Sequence, residues 1–217
     1  CVRRGDTGDD SLVGTPNRGM PNYRRTMLAV VAIDRYLSDT VPVVCSDNYE
    51  GGRLATQRLI DGGCRHILHF NGPAELETPA QLRRKAYEDT MQQRGLPYRT
   101  YEIELPLDRD DQLAVIRRAL DEYPHTDGVF ASNDMIAASV IFEAGNRSFS
   151  MPDDLRVIGY DGTVVITTAM PQLTTIRQPI EGIARAAIDL LLREIDGEFD
   201  TIERQIVLPV ELYEGST

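Results

Sequence analysis

The chain has 217 residues, enough for one large domain or two small lobes with a buried core, so disulfide or metal staples are not required. Its 23 Lys and Arg against 34 Asp and Glu leave a net charge of −11, which excludes the basic footprint that nucleic acid or an anionic membrane needs. Three cysteines (Cys1, Cys45, Cys64), an odd number without CxxC spacing, give neither a disulfide framework nor a Cys-based zinc site, and a reducing compartment follows. No apolar run reaches the roughly 18 residues of a spanning helix.

Residues 1–27 are rich in Gly, Pro and Asp and read as loop, apart from a short strand at Ser11-Leu12-Val13-Gly14. Val30-Val31-Ala32-Ile33 and Val41-Pro42-Val43-Val44-Cys45 are continuously apolar, the mark of strands buried on both faces. A helix follows, capped by Asp47 or Asn48 and ended by Gly62-Gly63. His66-Ile67-Leu68-His69-Phe70 is the next strand, stopped by Asn71-Gly72-Pro73. Leu82, Ala86, Tyr87 and Met91 then mark a helix that closes at Gly95.

Arg99 to Leu105 alternates as a half-exposed strand, and Leu113, Ile116 and Leu120 mark the next helix. Gly128-Val129-Phe130-Ala131 leads into Ser132-Asn133-Asp134 and an apolar helix. Leu155 to Asp161 repeats the strand-then-Asp pattern. Ile180, Ile183, Ala184, Ala187, Ile188, Leu191, Leu192 and Ile195 form one apolar stripe of a final helix, before a strand over Ile206 to Leu212. Strand–helix alternation of this kind predicts an α/β fold built on doubly wound parallel sheets.

Ligands of open α/β sheets sit outside the carboxyl ends of the strands. Four strands end there in Asp34, in Asp47-Asn48, in Asn133-Asp134 and in Asp161. One such residue is most simply a helix cap; four together suit adjacent hydroxyls of a small polyol, gripped by bidentate hydrogen bonds. Phosphate-loop, nucleophile-elbow and zinc-helix motifs are missing, so binding without catalysis and without a cofactor or metal is expected. His66 and His69 lie three apart, flanking or within a strand, point to opposite faces and read as structural or surface residues.

The series Ser46-Asp47-Asn48-Tyr49-Glu50-Gly51-Gly52-Arg53-Leu54-Ala55, Phe130-Ala131-Ser132-Asn133-Asp134, Val157-Ile158-Gly159-Tyr160-Asp161 and Leu173-Thr174-Thr175-Ile176-Arg177-Gln178-Pro179 resembles the effector-binding core of the LacI–GalR family of bacterial transcriptional regulators. The resemblance covers nearly everything after about Ser11. Ala32 to Tyr36 and Asp47 to Gly52 are most similar to its sucrose-operon branch.

The resemblance implies a two-lobed periplasmic-binding-protein-like fold, residues 11–72 and 178–202 forming the first lobe and 73–177 and 203–217 the second. It implies a small sugar or sugar phosphate bound between the lobes, changing their angle in a cytoplasmic homodimer. Operator DNA would be read only through a helix-turn-helix that these residues do not include. By family position Arg83, Asn133 and Asp161 would bind the ligand from the second lobe, and Asp47 and Tyr49 from the opposite wall, with Thr15 and Gln178 beside them. Phe130 or a tyrosine would supply the face on which a sugar ring stacks, there being no Trp. The family's opening strand is also missing, so the first lobe is expected to be incomplete at its N-terminus. A periplasmic sugar-binding protein of a transporter is the alternative with the same architecture.

Overall fold

The structure, a computed structural model, describes residues 28–103, 108–198 and 201–217. Thr15 and the expected strand at residues 11–14 lie outside the described residues. The chain runs β1 (Ala32–Ile33), β2 (Val43–Ser46), α1 (Asn48–Asp61), β3 (Ile67–Asn71), α2 (Pro79–Gln93), β4 (Arg99–Glu102), α3 (Arg109–Glu122) and β5 (Gly128–Ala131). It continues through α4 (Asp134–Asn146), β6 (Arg156–Asp161), α5 (Val164–Ala169), β7 (Thr174–Arg177), α6 (Ile180–Ile195), β8 (Gln205–Leu208) and β9 (Glu211–Tyr213).

These elements divide between two compact units. The first comprises residues up to Asp47, with Glu77–Pro79 and Pro179–Pro209. Among the described residues its sheet has the order β1-β2-β8, all parallel. Val44 on β2 packs with Ile183, Ala187 and Leu190 of α6 and with Ile202. The apolar residues of α6 therefore divide: Ile183, Ala187 and Leu190 are buried, whereas Ile180, Ile188, Leu192 and Ile195 are exposed, which corrects the single stripe expected there. Glu194, also buried on α6, accepts the backbone N–H of Val30 at 2.9 Å.

The second unit comprises Asn48–Leu76, Ala80–Gln178 and Val210–Thr217. Its sheet has the order β4-β3-β5-β6-β7-β9, parallel except for β9, which runs antiparallel to β7 at the edge. Successive residues of β3, β5 and β6 face opposite helix layers. Leu68, Phe70, Val129 and Val157 pack with Ile116 and Leu120 of α3 and Ile136 and Val140 of α4. Ile67, Phe130, Ile158 and Ile176 pack with Leu59 of α1 and Tyr87 and Met91 of α2. Helices on both faces are what buried, continuously apolar strands require.

Residues 48–72, expected in the first lobe, thus belong to the second unit, because β3 pairs with both β4 and β5. The strand β8, expected in the second lobe, pairs with β2 of the first. The expected strand over Ile206 to Leu212 is two strands, β8 and β9, each in a different unit. Both α1 and α2 end as anticipated. Gly63 and Gly95 adopt φ of 100° and 66°, and Cys64 and Leu96 donate backbone N–H groups to Leu59 and Met91, closing the helices with a left-handed cap.

Cys64 is a free, buried cysteine. Among the described residues no helix is long and apolar enough to cross a membrane.

His69, fully buried on β3, stacks on Phe130 with ring centroids 4.6 Å apart, and its Nδ1–H donates to the Phe130 carbonyl at 2.8 Å. Burial in this apolar layer pushes its pKa down to about 3. The unfolded chain, where the ring titrates near 6.5, binds more protons than the folded chain between pH 6.5 and 3. The contribution of His69 is therefore fully present above 6.5 and is lost as pH falls through that window. The melting temperature should drop between pH 7 and pH 4, and drop less in His69→Phe. Equal slopes in the two proteins would contradict the assignment.

Candidate functional site

The polar residues of the second unit converge at the carboxyl ends of β5, β6 and β7. At the start of α1, Asn48 is buried and its Oδ1 accepts the Nε–H of Arg83 at 2.8 Å. Arg83 lies on α2 and is only 7% exposed. Its Nη1 donates to the Ser132 carbonyl at 2.6 Å, its Cζ lies 3.6 Å from the centroid of the Tyr160 ring, and Nη1 is 3.9 Å from Asp161 Oδ1. Hydrogen bonds and the ring face replace the hydration that this buried guanidinium has lost.

Two glycines in α1 make the arrangement possible. A Cβ at Gly51 would lie 2.6 Å from the Tyr160 ring, and one at Gly52 would lie 2.6 Å from the Arg83 carbonyl oxygen. Interior helical glycine costs about 1 kcal/mol relative to alanine, a cost offset here by the close approach of α1 to Tyr160 and α2.

Asp161 ends β6 at φ +121°, a conformation that L side chains rarely adopt. Gln178 holds it: the Gln178 backbone N–H donates to the Asp161 carbonyl at 3.0 Å, and Nε2 donates to Oδ1 at 2.8 Å. Asp134, the first residue of α4, accepts the Gly162 backbone N–H at 2.8 Å and the Thr175 hydroxyl at 2.6 Å. Burial pushes its pKa up to about 6, against the lowering effect of those two bonds. Asn133 caps α4, its Oδ1 accepting the Ile136 N–H at 2.8 Å.

Of the expected ligand residues, Arg83, Asp161 and Gln178 are thus joined directly. Asn133 sits one residue beyond the carbonyl that Arg83 engages. Tyr49 is placed otherwise: its hydroxyl donates to Asp89 at 2.8 Å, and burial together with that carboxylate pushes the phenol's pKa up. Phe130 is fully buried against His69, which corrects its expected role as a stacking face. Asp47 belongs to the first unit, where its backbone N–H donates to the Leu208 carbonyl at 2.8 Å.

The Ser132 carbonyl, Tyr160 and Thr175 are parts of the constellation not foreseen as such. Asn48, expected among the strand-end residues, holds Arg83, and the ring of Tyr160, fully buried in β6, lies against the guanidinium. Among the described residues no group of three or more His, Cys, Asp or Glu could hold a metal ion. What the site offers is one buried cation, a carboxylate at a strained strand end and carboxamides on either side. Those groups can take paired hydroxyls as both donors and acceptors.

The periplasmic binding protein-like domain matches residues 56–217. A sucrose operon repressor of Pediococcus pentosaceus is 35% identical over 209 residues, which are 96% of this chain and 64% of the repressor. A ribose operon repressor of Halalkalibacterium halodurans is 32% identical over 185 residues, 85% of this chain and 55% of the repressor. The chain therefore spans less than two thirds of either relative. Among solved structures, a periplasmic binding protein/LacI transcriptional regulator from Alkaliphilus metalliredigens QYMF, complexed with D-xylulofuranose, superposes with a TM-score of 0.76. It is 32% identical, and the match covers 87% of this chain and 70% of that one.

Proposed function

The chain belongs to the periplasmic binding protein-like family, as the effector-binding core of a LacI-family regulator, and from that premise we propose that it binds a small sugar at the strand ends of its second unit and relays that binding to an operator-reading domain. The observation that carries the reading is the buried Arg83, held by Asn48 and Ser132, stacked on Tyr160 and facing Asp161. Arg83 and Asp161 would grip adjacent hydroxyls, with Gln178 and the amide nitrogen of Asn133 completing the set and Tyr49, Asp47 and Thr15 as further candidates. The sugar is bound and released unchanged.

Sucrose and its component D-fructose come first as effectors, with D-ribose next. Two relatives are named for the sucrose and ribose operons, and a structural neighbour holds D-xylulofuranose. The operator is reached through a helix-turn-helix outside these 217 residues, in the cytoplasm; a chain of net charge −11 would not itself attract DNA phosphates. The sugar acts by binding one conformation of the core more tightly than another, the only way a ligand shifts such an equilibrium.

A thermal-shift screen with sucrose, D-fructose, D-ribose, D-glucose, D-galactose and their phosphates tests the reading. A ligand at about 100 times its Kd adds about 2.7 kcal/mol to the folded state. For a chain of this size that raises the melting temperature by about 5–11 °C. No shift with any of these sugars would contradict the proposal.

The core further acts as a homodimer. Met135 and Phe142 on α4 and Val164 and Val165 on α5 are exposed, the two valines to 80% and 75%. The two helices begin side by side, since the Asp134 carboxylate accepts the N–H of Gly162. An exposed apolar face of this kind suits a second copy. Sedimentation equilibrium should give a dimer for the wild type and a monomer for Val164→Asp/Val165→Asp, with unchanged helix content. A monomeric wild type at micromolar concentration would overturn the assignment.

A further inference from the structure

We infer that Asp134 is a positioning residue of the sugar site, its carboxylate fixing the Asp161–Gly162 turn and making sugar binding sensitive to acid. The inference rests on the sugar-binding reading for its consequence and on the geometry of the turn for its cause.

The turn cannot hold itself. Asp161 is at φ +121° and Gly162 at φ +60°, and such a conformation costs of order 1–3 kcal/mol at a non-glycine residue. It persists because it is gripped from two sides. Gln178 takes the side chain and carbonyl of Asp161. Asp134 takes the N–H of Gly162 on Oδ2, and its Oδ1 is anchored in turn by Thr175 on β7.

The seat of this carboxylate is built into the backbone. A Cβ at position 159 would fall 2.3 Å from Asp134 Oδ1, so only glycine leaves room for it in β6. At position 162 a Cβ would fall 2.7 Å from the Arg177 Cα. Releasing Gly162 would let Asp161 relax, and the 3.9 Å relation between Asp161 and Arg83 would be lost with it.

An ionised carboxylate accepts both bonds at once. Once protonated, it gains an O–H that competes with its two donors for space, the Thr175 hydroxyl has to turn if it is to accept that proton, and the bond from the Gly162 N–H loses its charge assistance. The charged groups facing it are Asp161 from β6, which opposes ionisation, and Arg83 from α2, which favours it. From β7 come the neutral Thr175 and Arg177, whose guanidinium pairs with Glu211 at 3.2 Å. The turn should therefore loosen on acidification, in the range near pH 6 where burial places this carboxyl.

Two readouts of the 217-residue chain test this. The Gly162 amide, followed by ¹H–¹⁵N correlation from pH 8 to 4.5, should move with a midpoint near 6 in the wild type. In Asp134→Asn, which keeps the shape without the charge, it should not move through that range. In Thr175→Val, which removes one hydrogen bond to the ionised form, the midpoint should rise. In parallel, calorimetric Kd values for sucrose, D-fructose and D-ribose should weaken about fivefold or more from pH 7.5 to 5 in the wild type, and less than about twofold in Asp134→Asn (a tenfold change being 1.4 kcal/mol).

A Gly162 amide indifferent to pH, or an unchanged acid slope in Asp134→Asn, would overturn the inference. Should Asp134→Asn fail to fold, Thr175→Val decides it. Absence of sugar binding at pH 7.5 would instead sink the sugar-binding reading, leaving the amide titration to decide the positioning role.

Discussion

Arg83→Ala is expected to weaken sugar binding by about a hundredfold or more, and Arg83→Lys to do nearly as badly. The guanidinium donates in two directions at once, to Asn48 and to Ser132, while its plane lies on Tyr160. An ammonium has neither the fork nor the flat face. Truncation leaves the Asn48 oxygen and the Ser132 carbonyl without their donor and Asp161 without its cation. Breaking a buried charged set in this way costs about 3–5 kcal/mol. The melting temperature of the unliganded protein should fall as well, because those bonds exist before any ligand arrives. Full binding by Arg83→Lys would show that only the charge matters and that the stacked geometry is incidental.

The second large effect concerns stability. Gly159→Ala is expected to lower the melting temperature by about 6–12 °C, or to prevent folding, at about 3 kcal/mol of strain. Its Cβ would meet Asp134 Oδ1 at 2.3 Å and the Ala137 Cβ at 3.2 Å, and Asp134 cannot withdraw without surrendering Thr175 and Gly162. Gly145→Ala is the control. That glycine lies within α4, where a Cβ meets nothing within 4 Å, so alanine should stabilise by about 0.4–1 kcal/mol. The pair isolates crowding at the Asp134 seat from the general preference for alanine. A Gly159→Ala protein that melts with the wild type would contradict the packing described for β6 and α4.

Much of this architecture is legible in the residues, and the parts that are not have physical reasons. The buried strands announce themselves because continuous apolar runs such as Val43-Val44-Cys45 suit a sheet covered on both faces. The strand-end residues Asn48, Asn133, Asp134 and Asp161 mark the candidate site, because α/β sheets place polar loops there, whereas Asp34 and Asp47 lie in the first unit. The crossing between units at Asp47 and Asn48 is different: it carries no Gly or Pro break, whereas Asn71-Gly72-Pro73 looks like a boundary and lies within the second unit.

The short helix α5 and the strand β7 were also missed as elements. Val164–Ala169 is only 6 residues long, and Thr174–Arg177 has too little periodicity to distinguish it from loop. Arg83 shows the limit most sharply. In the run Arg83-Arg84-Lys85 composition cannot choose among the three. The structure does: Arg84 pairs with Glu88 and Glu102, Lys85 pairs with Asp89, and Arg83 turns inward. Successive helical positions point about 100° apart, so only the packing of α2 decides which of them is buried. Phe130 fails as a stacking face for a related reason: its side chain points from β5 into the layer beneath α1 and α2 rather than out at the strand end.

The most direct test of sugar sensing is a calorimetric titration at pH 7.5 of sucrose, D-fructose and D-ribose into the wild-type chain and into Arg83→Ala. Saturable binding of at least one sugar to the wild type, lost or weakened about a hundredfold in the variant, is the expected result. Heats no larger than dilution for all three sugars, or equal affinity in the two proteins, would contradict it.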